Sequence, residues 1–186
     1  MARKTPAYRL ARDCRGSVMV EVALIVPAIM FLLLAGVTLA HVVQLSRAAD
    51  RAAAVLAGDL SGRTALAEAD FDTALTAAAT LTDTGGYEVA PWLSVKVMEL
   101  HPANGGSILW SRSRDGGGGD CTGTDPAYTT PAGIVSGAGI AYLLQVDLCA
   151  TPGAGFFLLS ALSNLDFSVH ARATAPARQA RLRGLE

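Results

Sequence analysis

From Val22 to Val43 the chain runs for 22 positions without a charged residue. Wound as an α-helix at about 1.5 Å per residue, that run covers roughly 33 Å, close to the hydrocarbon thickness of a bilayer. A core helix of this length would show polar residues along one side, and here only Thr38 and the terminal His41 interrupt. The pattern therefore predicts a membrane span over 22–43. From Gln44 to Gly58 the chain is alanine-rich and proline-free, with Leu45, Ala48, Ala49, Ala52 and Leu56 on one small apolar face. The helix is expected to continue beyond the bilayer to about Leu60, where Gly58 and Gly62 are stop signals. From Ser17 it would be on the order of 65 Å long, half of it outside the lipid.

A second, amphipathic helix is expected over 64–82, with Leu66, Phe71, Leu75 and Leu81 set among alanines and acids, ended by Gly85-Gly86. The texture then becomes strand-like. Trp92 to Leu100 alternates, with Val95 and Val97 opposite Lys96, and Asn104-Gly105-Gly106 marks a turn into a hairpin partner, Ser107 to Ser113. An irregular stretch over 115–133 holds four consecutive glycines. Ile140 to Cys149 is the strongest strand, with Thr151-Pro152-Gly153 expected to break it. Phe156 to Leu162 is apolar but too short to cross a membrane. Leu165 to Thr174 alternates again, with Phe167, Val169 and Ala171 on one face. The fold class is α+β: a long N-terminal transmembrane helix, then a small periplasmic domain with a second helix and an antiparallel sheet of about four strands. The expected partition is a leader over 1–16, the long helix over 17–62, the domain over 63–175 and a tail over 176–186.

Charge sets the orientation. Residues 1–16 carry Arg3, Lys4, Arg9, Arg12 and Arg15 against Asp13, while the remainder holds ten Lys/Arg and fifteen Asp/Glu. A net charge of −1 hides this asymmetry. Positive flanks stay cytoplasmic, so the leader is expected inside and everything after about residue 45 outside. No basic surface suggests nucleic acid. Cys14 lies in the leader, while Cys121 and Cys149 lie in the exported part. In an oxidising compartment that pair reads as a disulfide, worth roughly 3–4 kcal/mol by chain entropy. Two half-buried thiols are the alternative.

The informative spot is the start of the span, Arg15-Gly16-Ser17-Val18-Met19-Val20-Glu21-Val22-Ala23-Leu24-Ile25-Val26-Pro27. An ionised acid at mid-bilayer costs about 2.5–3.5 kcal/mol, less near the interface. Glu21 either serves a partner or sits among headgroups and caps the first turn. Gly16 followed by Ser17 to Val20 and Glu21 resembles the processing site of type IV pilin-like proteins. There a membrane prepilin peptidase cuts after glycine, and glutamate is the fifth mature residue. The fuller string Glu21-Val22-Ala23-Leu24-Ile25-Val26-Pro27 is similar to pseudopilins of the TadE/TadF type from Tad (Flp) pili, with Val22 where that family usually has Phe or Tyr. The stretches Tyr142 to Asp147, Phe156-Phe157 and Phe167 to Arg172 resemble the ending of TadE-like proteins.

The resemblance implies a minor pseudopilin of an adhesive Tad pilus, cut between Gly16 and Ser17. The new amine of Ser17 would be neutralised by Glu21 of the same or a neighbouring subunit, since a buried ion pair is cheaper than either charge alone. Pro27 would loosen the span by removing one helical hydrogen bond. Ala35, Gly36 and Ala40 would allow close helix packing. Expected partners are the inner membrane, the prepilin peptidase, other pilins and the Tad secretion machinery.

No enzyme, cofactor or metal is expected. His41, His101 and His170 are scattered, and no nucleophile elbow, phosphate loop or dinucleotide fingerprint occurs. Asp115, Asp120 and Asp125 read as a solvated loop before a calcium site. Trp92 and Trp110 read as core or cross-strand partners. Two rivals differ in class: a soluble secreted binding domain released near Ala52-Ala53-Ala54, and an uncut, membrane-anchored periplasmic enzyme.

Overall fold

A computed structural model describes residues 15–63, 65–83, 85, 89–101, 105–117, 141–152 and 168–177. Six elements follow along the chain: α1 (Arg15–Gly62), α2 (Glu68–Thr82), β1 (Val89–His101), β2 (Gly105–Asp115), β3 (Ala141–Pro152) and β4 (Val169–Pro176). The expected α+β order is what forms. Two compact units divide the chain, Met1–Leu39 and Ala40–Glu186, and the boundary falls inside α1.

In the first unit α1 is apolar and exposed, from Met19 through Leu39. It is the one helix among the described residues long and apolar enough to cross a membrane. Its one hydroxyl is satisfied locally, for Thr38 Oγ1 donates to the Leu34 carbonyl at 2.9 Å. Pro27 lies inside the helix, where its ring nitrogen has no proton to give the Ala23 carbonyl one turn back.

In the second unit the same helix becomes amphipathic. Leu45, Ala48, Ala49, Ala52, Ala53, Leu56, Ala57 and Leu60 are buried, while Arg47, Asp50, Arg51, Ala54 and Val55 are exposed. The domain's apolar core thus begins inside α1, ahead of the boundary expected at residue 63. Arg63 follows the helix and donates to Asp59 at 2.7 Å and Asp70 at 2.6 Å, bridging α1 to the first turn of α2. Asp70 also accepts the Ala67 N–H at 2.7 Å, satisfying one of the orphan donors of a helix start. This cap places the start of α2 at Glu68, four residues later than its apolar spacing suggests. Phe71, Ala74, Ala78 and Thr82 form its buried stripe. Leu81, expected on the apolar face, stands off that stripe and is exposed.

The sheet is antiparallel throughout, in the order β2-β1-β3-β4. The β1–β2 hairpin forms as expected, with a register shift opposite Val97/Met98 that slips Leu109 in as an extra residue. Just past β2, Gly116 N–H donates to the Pro91 carbonyl at 2.9 Å, and a Cβ on Gly116 would come within 2.7 Å of that oxygen. Only glycine fits there. Strand β3 runs through Thr151 and Pro152, which pair with Ala90 and Val89, so the expected break lies beyond them. Proline at a strand's last pair removes no interior ladder bond.

One side of the sheet packs on the helices. Leu93, Val95, Val97, Leu144, Val146, Leu148, Ala150, Val169 and Ala171 join the α1 and α2 stripes in one apolar cluster. The alternating residues on the other side are buried as well: Met98, Leu100 and Leu143 form a second small cluster, beside Ser94, Gln145, Asp147 and Cys149.

Candidate functional site

Gly16 and Ser17 are the second and third residues of α1, within its first turn. Glu21 lies one helical turn after Ser17, and four residues on a helix amount to about 6 Å of rise on one face. Glu21 is exposed and is the single charge between Arg15 and Arg47. A carboxylate near a helix N-terminus is favoured by the aligned peptide dipoles, so a backbone starting at Ser17 would put its amine and this carboxylate in adjacent turns. Pro27 follows six residues on. Among the small residues, a Cβ added at Gly36 would meet nothing within 4 Å. The helix thus brings Gly16, Ser17, Glu21 and Pro27 onto one element.

The other expected residues do not gather there. Cys149 is buried on β3, opposite Trp92 of β1, and Cys121 lies outside the described residues. Cys14, Asp120, Asp125, Phe156 to Leu162 and Phe167 also lie outside them. Asp115 Oδ1 accepts the Gly117 N–H at 2.7 Å, a local turn contact. Trp110 packs edge-on against Phe71 with ring centroids 6.0 Å apart. Among the described residues no three His, Cys, Asp or Glu side chains converge as a metal site.

The domain carries one cluster that spacing did not reveal. Asp147, 3% exposed, sits mid-strand on β3. Arg172 Nε of β4 donates to its Oδ1 at 2.5 Å, with His170 Nε2 at 3.6 Å from the same oxygen. Gln145 Nε2 donates to Oδ2 at 2.7 Å, and Lys96 Nζ of β1 lies 3.7 Å away. Register explains the convergence: Asp147 pairs with Arg172 on one side and Ser94 on the other. With both oxygens engaged, the carboxylate ties three strands together. A carboxylate between Val146 and Leu148 in a largely apolar strand was the available clue.

A second tie joins α2 to β2. Arg114 donates to Glu68 and, at 2.9 Å, to Asp72, and its guanidinium carbon lies 5.9 Å from the Phe71 ring centroid. The hydrogen bonds to Asp72 and Glu68 raise the Arg114 pKa above its ordinary value, and that to Asp59 does the same for Arg63. Both arginines are solvated, so each tie is worth about 1 kcal/mol or less.

Residues 16–57 match the family model described as TadE-like protein. The match begins at the expected processing glycine and ends at Ala57, inside the buried stripe of the second unit. No curated protein and no solved structure matches the chain. The helix that supplies both the exposed apolar run and one wall of the domain core is similar over residues 16–57 to TadE-like proteins.

Proposed function

We propose that this protein is a minor pseudopilin, cut by a prepilin peptidase between Gly16 and Ser17, that joins, primes or supports an adhesive Tad-type pilus. The observation that carries the reading is the composition of α1: one uninterrupted helix whose exposed apolar stretch holds a single charge, Glu21, one turn after Ser17. The family match over the same helix supports it. Before cutting, the basic leader holds the N-terminus in the cytoplasm and the domain in the periplasm. After cutting, the Ser17 amine and the Glu21 carboxylate neutralise one another, within a subunit or between neighbours, and set subunit register. Pro27 loosens the helix next to that pair. Outside the membrane, a Cys121–Cys149 disulfide closes the loop between them, consistent with the burial of Cys149. In this reading the chain is the substrate of an enzyme and has no activity of its own.

Intact-mass and N-terminal analysis of the membrane-fraction protein, in cells with and without the prepilin peptidase, tests the proposal. A peptidase-dependent N-terminus at Ser17 is expected. A chain that keeps Met1 in both strains, or one that starts near Ala54, would overturn it. Mass before and after reduction and alkylation tests the disulfide in the same samples.

A further inference from the structure

Past the apolar run, α1 turns one side to the domain core and the other outward. On the outward side stand Arg47 and Arg51, both exposed and spaced by one turn. Among the described residues neither makes an ion pair with a carboxylate, although Asp50 is exposed between them. The nearest preceding exposed large apolar residue is Val43.

Their depth follows from the helix itself. Arg47 is four residues past Val43 and Arg51 eight, or about 6 and 12 Å along the axis. The headgroup layer on each side of a bilayer is about 5–7.5 Å thick. In an α-helix every Cα–Cβ bond tilts toward the N-terminus, so a long side chain covers the turn before its own Cα. Here that turn lies toward the span. Arg51 shows the tilt directly, for its Nε donates to the Arg47 carbonyl at 3.2 Å. Its remaining guanidinium donors are thereby carried back toward the level of Arg47. With a span that ends at Val43, Arg47 comes at the level of the lipid phosphates and the Arg51 side chain is drawn back toward it, and a guanidinium fork matches a phosphate's two oxygens.

We propose that Arg47 and Arg51 form a binding site for anionic phospholipid headgroups, in the leaflet on the C-terminal side of the span. The inference rests on α1 crossing a bilayer, and on nothing about pilus assembly. Asp50 offsets one of the two charges. The net single positive charge at an anionic surface corresponds to about a fivefold preference for charged over neutral lipid.

The test is native mass spectrometry of the full chain released from nanodiscs of phosphatidylcholine mixed with phosphatidylglycerol. Phosphatidylglycerol should be enriched about fivefold among the retained lipids. The Arg47→Gln/Arg51→Gln variant should lose that enrichment, and Asp50→Asn should increase it; all three side chains are exposed, so the domain should stay folded. Retention in the bulk lipid ratio by the unaltered chain would overturn the site, as would unchanged enrichment in the double variant. A double variant that loses self-association while lipid retention follows the bulk ratio would give this face to a second copy instead. If the chain is stripped from membranes by alkaline carbonate, the span itself fails; a chain that resists stripping but shows no enrichment refutes the lipid site alone.

Discussion

The two sides of the central strands β1 and β3 are both buried, and by different physics. On the helix-facing side, apolar side chains from β1, β3 and β4 meet the stripes of α1 and α2. Burial there rests on the hydrophobic effect, which is non-directional and scales with area. On the other side, Asp147 is held by Arg172, His170, Gln145 and Lys96 beside the Met98, Leu100 and Leu143 cluster. Charges taken out of water are tolerable only when geometry supplies partners. From Leu143 to Ala150 every residue of β3 is buried, and consecutive residues of that one strand face these two environments in turn. One side tolerates changes of shape better than of polarity, and the other depends on its particular pairs.

The largest effect should come from placing a charge on the helix-facing side. Val146 is fully buried there, one position from Asp147. Val146→Asp should cost about 4 kcal/mol or more, since Val146 belongs to the apolar cluster. Ser111→Asp, on an exposed position of β2, should stay within about 0.5 kcal/mol. Thermal unfolding of the full chain in detergent, followed by circular dichroism, compares them. A Val146→Asp protein that melts like the unaltered one would mean that the two sides are equivalent.

Much of this arrangement is legible in the chain, with limits that have physical causes. A run of 22 uncharged residues and an alanine-rich continuation announce α1 to within two residues at each end. Local alternation finds β1 and β4 with looser bounds, β1 starting three residues before the expected Trp92 and β4 at Val169, while the Asn104-Gly105-Gly106 turn signal finds β2. Periodicity shows that Leu45, Ala49 and Ala52 share a face but not what covers it, so the domain's start inside α1 emerges only from packing. Strand β3 lacks clean alternation because both its sides are buried. The ion cluster is harder still: Lys96 and Arg172 lie far apart in sequence and meet Asp147 only through the register of three strands. The candidate stretch at Gly16, Ser17 and Glu21 is the opposite case, since it lies within six consecutive residues of one helix and spacing alone sets its geometry.

A smaller effect should follow from removing the central charge on the other side while keeping its shape. Asp147→Asn leaves the Arg172 guanidinium and the Lys96 ammonium in place, with no carboxylate between them. Breaking a fully buried pair from one side costs about 3–5 kcal/mol, and the partial exposure of Lys96 and Arg172 sets the expected loss below that, at about 2 kcal/mol. Denaturant unfolding at neutral pH should show a lower midpoint with an unchanged slope. A loss under about 1 kcal/mol would mean that this cluster behaves as a solvated surface pair, and the contrast between the two sides would then reduce to one of exposure.

The smallest effect lies where the helix-facing side gives out. Glu99 and Tyr142 pair across β1 and β3 there, continuing the alternation of Val97 and Leu144, and Tyr142 Oη donates to Glu99 Oε1 at 3.2 Å. Desolvation raises the Tyr142 pKa above its ordinary value of 10.0, and the charge of Glu99 and the hydrogen bond to it add to the rise. The folded protein therefore holds the phenol proton more tightly than the unfolded chain does. That contribution is fully present below about pH 10 and is lost as pH climbs through the raised value. Tyr142→Phe has no such proton, so its alkaline stability should fall less steeply than that of the unaltered protein, while near neutral pH it should lose only a single solvated hydrogen bond. Denaturant midpoints measured across the alkaline range separate the curves. Parallel curves would mean that water reaches Tyr142 freely, and that the apolar side ends at Val97 and Leu144 without a polar seal.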